Sequence, residues 1–147
     1  MKTPVLKPAR KINPGERIFK NQNQFKFKRL FTKKAIHPFD EVTWVNRDAE
    51  VGNFKQTGVE FPDSWSENSI NITVAKYFRG KLNSPAREKS LKEMISRVAK
   101  IIRGWGEKFG YFDSAVQAQI FEDELTHLFL YQKVSFNSPV WFNVGVR

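Results

Sequence analysis

The sequence contains no cysteine among its 147 residues. This absence excludes disulfides, thiolate metal sites, a cysteine nucleophile and thiol redox chemistry within the chain. Long apolar runs are missing too: none approaches the ~20 residues that span a bilayer, and the N-terminus lacks the apolar stretch of a signal peptide. We therefore expect a cytoplasmic protein with no membrane contact.

Recognisable catalytic motifs are also scarce. Gly104-x-Gly106 follows a helical pattern, where glycine acts as a terminator, and no phosphate loop of the Walker or Rossmann type occurs. His, Asp and Ser do not stand in the contexts of a hydrolytic triad. The residue patterns alone therefore indicate no catalytic residue in this chain.

One pair of residues has a spacing typical of metal ligands, Glu124-x-x-His127. Helices of di-iron carboxylate bundles place a Glu and a His on one face with this spacing. Such a site needs a second Glu-x-x-His and two further Glu residues, but the other histidine, His37, has no Glu three positions before it. We therefore expect no metal site, and we expect His127 to make a hydrogen bond at the surface or edge of its helix.

Positive charge is concentrated at the N-terminus. Residues 1–34 hold eleven Lys or Arg and a single acid, Glu16, so this stretch carries the entire formal charge of +10. Its prolines and a polar run at 21–24 sustain no helical or strand period. We predict a basic, disordered and flexible arm over residues 1–36, with a weak, charge-driven contact to nucleic acid through residues 1–34 as one possible role.

Aromatic and basic residues interleave late in this arm: Phe25, Phe27 and Phe31 with Lys26, Lys28 and Arg29. Two interpretations stay open. The rings could stack on the bases of a single strand while the cations contact its phosphates. Alternatively, a short amphipathic segment packs its phenylalanines on the body of the protein.

The rest of the chain is predicted to be α+β. Aromatic and β-branched residues indicate a hairpin with strands at about 42–50 and 54–61. A short helix is predicted over Ile72–Phe78, closed by Gly80. Because a lone hairpin is marginal in water, we expect it to pack on the helices.

The strongest periodic pattern predicts an amphipathic helix over residues 85–103. Apolar residues recur there at three- and four-residue steps. Ser84 suits the N-cap and Pro85 the first helical position, while Gly104 and Gly106 suit the end.

A second helix is predicted from Ser114, which has capping-box spacing with Gln117, to about Ser135. The residues that follow, 136–145, are mostly apolar and include Pro139. They predict a buried strand or loop.

Several segments occur in the order and with the spacing of a known family. They are VEFPDSWSENSINITVAKYFRGKLNSPAREKSLKEMISRV, WGEKFGYF and FEDELTHLFLYQKVSFNSPVWFNVG, with KYFRG at 76–80, GYF at 110–112 and NSPVWFNVG at 137–145. From about Arg29 to the last residue, the sequence resembles the N-terminal region of class II, adenosylcobalamin-dependent ribonucleotide reductases.

The resemblance implies a ribonucleoside-diphosphate reductase that makes deoxyribonucleotides for DNA synthesis by radical chemistry. In that family, homolysis of the cobalt–carbon bond generates a thiyl radical, which abstracts the ribose 3′ hydrogen, and a cysteine pair supplies the reducing equivalents. The cysteines and the cofactor ligands lie beyond Arg147 in the family. This chain is therefore expected to be an inactive N-terminal fragment, and the full-length enzyme to be a possible homodimer that binds its ribonucleotide through the missing barrel.

The resemblance also implies a domain organisation. Residues 37–136 correspond to the hairpin and helical N-terminal domain, and residues 137–147 to the start of an incomplete ten-stranded α/β barrel. Without partner strands, the first strand would leave Val140, Trp141 and neighbouring residues as an exposed apolar edge. Ser138 matches the position where ribonucleotide reductases place a hydroxyl near the substrate phosphates; the alternative is an ordinary turn residue before proline.

Two other functions stay open. A small basic protein that binds single-stranded nucleic acid would explain the charged arm but not the ordered motifs. A stand-alone paralogue could regulate the reductase. The sequence leaves open whether the chain is truncated, partial or independent, and whether the substrate is a diphosphate or a triphosphate.

Overall fold

A computed structural model of the protein describes residues 24–146. Within this range a 3-10 turn, Pro38–Glu41, precedes two strands, β1 Trp44–Val51 and β2 Phe54–Pro62. The helices are α1 Glu67–Lys76, α2 Leu91–Lys108, α3 Ala115–Leu130 and α4 Ser138–Asn143. The predicted α+β class is confirmed for these residues. No helix in the range 24–146 is long and apolar enough to cross a membrane.

The two strands form the predicted antiparallel hairpin. Trp44 pairs with Pro62 and Val51 with Phe54, and the register shifts at a bulge between Arg47 and Ala49. One face of the hairpin is fully buried at Ala49, Val59 and Phe61 and packs on α1 and α2. This packing supplies the apolar cover that an isolated hairpin lacks.

A single apolar core joins the hairpin to the helices. The ring of Phe61 stacks on that of Phe78 with centroids 5.7 Å apart. The buried members of the core are Ala49, Val59, Phe61, Ile70, Val74, Phe78, Leu91, Met94, Ile95, Val98, Phe129, Leu130 and Trp141. Residues of α4 therefore belong to the same core as the hairpin.

The predicted flexible arm lies outside the described residues as far as residue 23, but from Gln24 the chain is docked on the helices. Phe25 N–H donates to the Tyr111 carbonyl at 2.8 Å. The Phe27 ring packs 5.4 Å from that of Phe121, and Arg29 pairs with Asp123 at 2.7 Å. The structure thus shows the amphipathic docking interpretation for residues 24–32, and flexibility is the wrong prediction for them.

Helix α2 begins later and ends later than the predicted 85–103. Its N-cap is Ser90, which forms a capping box with Glu93, rather than Ser84. The residues after Pro85 are held by the hairpin instead, because Glu60 N–H donates to the Lys89 carbonyl at 2.9 Å. At the other end, the helix runs to Lys108.

Neither Gly104 nor Gly106 terminates α2, contrary to the prediction. Gly106 is buried against the Phe112 ring, and a Cβ built on it would lie 2.7 Å from Cζ of Phe112. A Cβ on Gly104 would meet no atom within 4 Å. Close packing explains Gly106, and nothing in the structure explains Gly104.

Helices α1 and α3 also differ from the prediction. Helix α1 starts before Ile72, because Ser66 caps it by accepting the Ser69 N–H at 3.2 Å, and it ends at Lys76 rather than at Phe78. Helix α3 starts at the predicted cap Ser114 but stops before Ser135, since Gln132 takes a φ of +54°. Lys133 N–H then donates to the Leu128 carbonyl at 2.9 Å, closing the helix end.

The predicted strand within residues 137–147 is absent from the described part of this segment, because residues 138–143 form α4. Proline is favoured in the first turn of a helix, where its missing N–H has no intrahelical partner. The helix buries Trp141, whose ring lies 4.9 Å from that of Phe129. The predicted apolar edge is therefore wrong at Trp141, although Phe142 remains 38% exposed.

We expect the two glycines of α2 to respond oppositely to alanine. Gly106→Ala should destabilise the protein by about 1 to 3 kcal/mol, because the added methyl overpacks the Phe112 contact. Gly104→Ala, the matched control, should stabilise it by about 0.5 to 1 kcal/mol through the lower helical propensity of glycine. Urea unfolding of the three proteins measures both effects, and equal effects would contradict the packing of Phe112 on Gly106.

Candidate functional site

The predicted site residue Ser138 is the first residue of α4 and is partly buried. Its Oγ lies 3.1 Å from the hydroxyl oxygen of Tyr77, which follows α1 directly. Tyr77 belongs to the segment KYFRG and Ser138 to NSPVWFNVG, 61 residues apart. The fold therefore brings two of the sequence motifs into direct contact.

A stack of three side chains continues this contact along α4. The rings of Tyr77 and Phe142 lie nearly parallel with centroids 5.5 Å apart. The Arg79 guanidinium carbon lies 4.9 Å from the Phe142 centroid, a cation–π distance. Ser138 and Phe142 are one helical turn apart, so both face the end of α1.

Arg97 of α2 holds the C-terminal half of α4. Its Nη1 donates to the carbonyls of Trp141 at 3.0 Å and Val144 at 2.7 Å. Its Nε donates to Oε1 of Glu88 at 2.7 Å, and both side chains are about nine-tenths buried. The carbonyls left unpaired at the end of α4 thus receive a charged donor.

Glu88 connects this arrangement to the end of α1. Besides Arg97, its carboxylate accepts the backbone N–H of Arg79 at 2.7 Å. The side chain of Arg87 donates to the carbonyls of Val74 and Phe78, at 2.7 and 2.6 Å, and so caps α1. One carboxylate therefore lies among three arginines.

The resulting excess of positive charge affects Arg79. Burial and the nearby charge of Arg97 lower the pKa of Arg79 from its ordinary value, although Glu88 opposes the shift. The guanidinium still stays charged, because arginine titrates far above neutral pH. The surroundings of α4 consequently favour an anion.

Gly145 ends the NSPVWFNVG segment in a conformation that requires glycine. Its φ is +71°, and a Cβ built on it would lie 2.7 Å from Cγ of Arg97 and 2.8 Å from the Arg97 carbonyl oxygen. The absence of a side chain lets this backbone lie against α2. Gly145 thus fits the same arginine that holds α4.

Sequence reasoning missed Arg97, Glu88 and Tyr77. The helix pattern puts Arg97 among the polar residues, yet it lies three residues after buried Met94, at the edge of the apolar stripe. A charged residue at the edge of an apolar stripe either pairs with a buried partner or extends to solvent. Its position in the helix pattern is therefore the only feature of the sequence that could have indicated a buried role for Arg97.

Glu124, the first residue of the metal-like motif, binds the docked segment instead of a metal. Its carboxylate accepts the backbone N–H groups of Leu30, Phe31 and Thr32, and the Thr32 hydroxyl at 2.6 Å. Burial alone would raise the pKa of Glu124, but these hydrogen bonds together lower it below its ordinary value. Within residues 24–146, no group of three or more His, Asp or Glu could hold a metal ion.

His127 lies between two aromatic rings, and none of the residues 24–146 makes the expected hydrogen bond with it. It stacks on Phe31 at 5.2 Å and contacts Tyr131 at 4.3 Å. Its Nδ1 is buried with no hydrogen-bond partner in the described part of the chain. Burial lowers the pKa of His127, against the attraction of Glu124 and Glu41 for its charged form.

A cavity of about 370 Å³ lies beside α4. Its walls are mostly apolar and include Trp65, Ile72, Tyr77, Phe129 and Trp141. The Tyr77 ring therefore contributes both to this cavity and to the contact with Ser138.

Comparison with known proteins identifies the family. A family described as class II vitamin B12-dependent ribonucleotide reductase matches residues 40–132, more than half of the chain. The chain belongs to this family. Residues 40–132 include α1, α2 and α3 but end before α4.

Curated relatives carry the name vitamin B12-dependent ribonucleotide reductase. The relative from Streptomyces clavuligerus is 49% identical over 127 residues, which are 82% of this chain and 13% of the relative. That from Streptomyces coelicolor is 50% identical over 124 residues, 80% of this chain and 13% of the relative. A third, from Rhodopirellula baltica, is 45% identical over 117 residues, 75% of this chain and 11% of the relative. The chain thus spans only a small part of their length.

We expect stability to fall with acid in two separate steps. The folded pKa of His127 is lowered, so its contribution is complete above the ordinary histidine value of about 6.5 and is lost as pH falls below it. The folded pKa of Glu124 is lowered as well, so its contribution persists to about pH 4.5 and is lost below that. Each step has a slope of at most about 1.4 kcal/mol per pH unit.

Chemical denaturation between pH 8 and pH 3.5 measures these steps. His127→Gln should remove the step below pH 6.5 and keep the lower one. Glu124→Gln should keep the upper step and only reduce the lower one, because hydrogen bonds from Lys92 and Ser90 lower the pKa of Glu60 as well. A wild-type free energy of unfolding that stays constant from pH 7 to pH 5.5 would refute the buried, neutral state of His127.

Proposed function

We propose that this chain is the N-terminal part of an adenosylcobalamin-dependent ribonucleoside-diphosphate reductase, in which Ser138 contacts a substrate phosphate. Residues 37–136 would form its N-terminal domain, and residues 137–147 would lead into the catalytic barrel. The observation that carries the proposal is the placement of Ser138 at the start of a firmly held helix, beside Tyr77 and near an excess of arginine charge. The names of the relatives support the reaction class.

The Ser138 hydroxyl has a donor available for a phosphate. A hydroxyl carries one proton and two acceptor lone pairs. When Tyr77 donates its proton to Ser138, the Ser138 proton is free to donate to a phosphate oxygen. Tyr77 would then orient Ser138, and the charge of Arg79 would favour the approach of the anion.

The described residues do not fit the cofactor. Cobalamin supplies radical chemistry in enzymes that use it. The cavity beside α4, at about 370 Å³, and two further pockets of about 540 and 590 Å³ are each smaller than a corrin with its nucleotide loop and adenosyl group requires. The proposal therefore assigns the cofactor and the reactive thiols to the remainder of the relatives' length, and this cysteine-free chain is proposed to be inactive on its own.

Ser138→Ala tests the proposed phosphate contact in a full-length reductase that contains this N-terminal region. Loss of a hydrogen bond to a charged group costs roughly 1.5 to 3 kcal/mol, so kcat/KM should fall about tenfold to a hundredfold. The effect should appear as a raised KM, because phosphate contacts form in the ground state and the transition state alike. Steady-state kinetics with a ribonucleoside diphosphate and the matching triphosphate also tests which substrate is preferred.

Two further variants complete the experiment. Tyr77→Phe removes only the orienting hydroxyl and should raise KM by a smaller factor than Ser138→Ala. Ser64→Ala, at an exposed serine after the hairpin, is the matched control and should change nothing. If Ser138→Ala leaves KM unchanged and lowers the Tm, Ser138 is a structural residue and the assignment is wrong.

A further inference from the structure

An exposed group of aromatic side chains lies at the C-terminal end of α2. We call it the aromatic surface and define it by Phe25, Trp105, Phe109 and Tyr111. Phe25 is 58% exposed, Trp105 48% and Tyr111 41%. The Tyr111 ring lies 6.2 Å from that of Phe25 and 6.4 Å from that of Phe109. Phe109 is half-buried, and Trp105 precedes it by one helical turn.

The exposed rings of the aromatic surface are not part of the hydrophobic core, although neighbouring rings are. In the same region, Phe27 packs 6.0 Å from Phe112, and the Phe112 side chain is buried against Gly106. Phe25 is fixed through its backbone N–H on the Tyr111 carbonyl, which leaves its ring outside. Exposed rings that are fixed in place are typical of an interaction surface.

Three lysines, Lys26, Lys28 and Lys108, lie near the aromatic surface. Lys26 and Lys28 alternate with Phe25 and Phe27 in the docked segment, and the Lys108 Nζ lies 5.6 Å from the Phe109 centroid. Within residues 24–146 none of these three lysines forms an ion pair, whereas Arg29 and Lys33 pair with carboxylates. Their charge is therefore available to a ligand.

Acidic residues also lie at this end of the molecule. Glu107 pairs with Arg103 at 3.1 Å, Arg103 also pairs with Glu122 at 2.8 Å, and Asp113 accepts a hydrogen bond from the Ser114 hydroxyl. The three positive charges of the lysines exceed the two negative charges that remain on these three acids after Arg103 is counted. In the sequence, residues 1–23 add six Lys or Arg against Glu16 directly before the docked segment.

We propose that the aromatic surface binds single-stranded nucleic acid. Bases stack on the exposed rings, and the lysines contact the phosphates between them. Exposed π-faces interleaved with available cations match this ligand, because every base has a face to stack and every nucleotide carries a negative charge. The Watson–Crick duplex hides its base faces, so a single strand fits better than a duplex. This binding is independent of the reductase reaction proposed above.

The test uses the full 147-residue chain and a fluorescein-labelled oligothymidylate of about 20 nucleotides. Fluorescence anisotropy gives the affinity as a function of salt, and quenching of the intrinsic tryptophan fluorescence reports stacking near Trp105. Phe25→Ala combined with Tyr111→Ala should weaken binding by about tenfold or more, with the salt slope unchanged. Lys26→Gln combined with Lys28→Gln should reduce the slope of log K against log salt by about 1.4, or ~0.7 for each phosphate that a lysine no longer neutralises.

Three controls make the result decisive. Val116→Ala removes an exposed apolar side chain on α3 and should leave binding unchanged. Phe25→Leu keeps an apolar side chain for docking but removes the ring, so weaker binding by this variant attributes the effect to stacking rather than to misfolding. A duplex of the same length should bind at least about tenfold more weakly, because its bases are not free to stack on the rings.

Other results would overturn the proposal. These are no binding at about 50 mM salt, where charge-driven contacts are strong, equal affinity for duplex and single strand, or unchanged affinity when the rings are removed. Binding that disappears when residues 1–23 are deleted, but is unchanged by Phe25→Ala and Tyr111→Ala, would also contradict the proposal. The affinity would then come from the charge of residues 1–23 alone.

Discussion

The conformation of the C-terminal part of the chain depends on one buried ion pair, Glu88 with Arg97. The pair lies between the segment that follows α1, helix α2 and helix α4. Breaking such a pair by removing one partner costs about 3 to 5 kcal/mol, because the other charge stays buried without compensation. Arg97 uses its remaining donors on two carbonyls at the end of α4. The shape of the segment that carries Ser138 therefore follows from an interaction made elsewhere in the chain.

This pair also gives a physical reason for the family motifs. KYFRG places Tyr77 against Ser138 and presents the Arg79 N–H to Glu88. The last residue of NSPVWFNVG, Gly145, has no side chain and so fits against Arg97. KYFRG and NSPVWFNVG thus contact each other in the folded chain. Helices α2 and α3 lie between them in the sequence and set their spacing.

The sequence predicted the elements whose causes are local. Alternating aromatic and β-branched residues indicate the hairpin, and Ser114 is recognisable as a cap because its partner Gln117 is three residues away. The errors occurred where tertiary packing decides. Ser84 and Pro85 look like a helix start, but the hairpin holds the chain there. Gly106 looks like a terminator, but it packs on the ring of Phe112.

In the candidate site, too, local sequence signals were predictive and contacts between separate segments were not. Ser138 is identifiable from its motif, but the residues that position it are not. Tyr77 contacts Ser138 from 61 positions away in the sequence, and Arg97 holds the other end of α4 through the carbonyls of Trp141 and Val144. The mostly apolar segment around Pro139 predicts a buried strand or loop, but a short apolar run does not by itself distinguish a strand from a buried helix. The bonds from Arg97 to Trp141 and Val144 favour the helix.

Amide hydrogen exchange in the full chain tests the role of Arg97 most directly. In Arg97→Met, the amide of Val144, which donates to the Val140 carbonyl at 2.9 Å, should exchange at least about tenfold faster relative to the amides of α3 than in the wild type. Lys100→Met, at an exposed position of the same helix, should leave this ratio unchanged. Unchanged protection of Val144 in Arg97→Met would show that α4 is stable without the ion pair and would contradict the account.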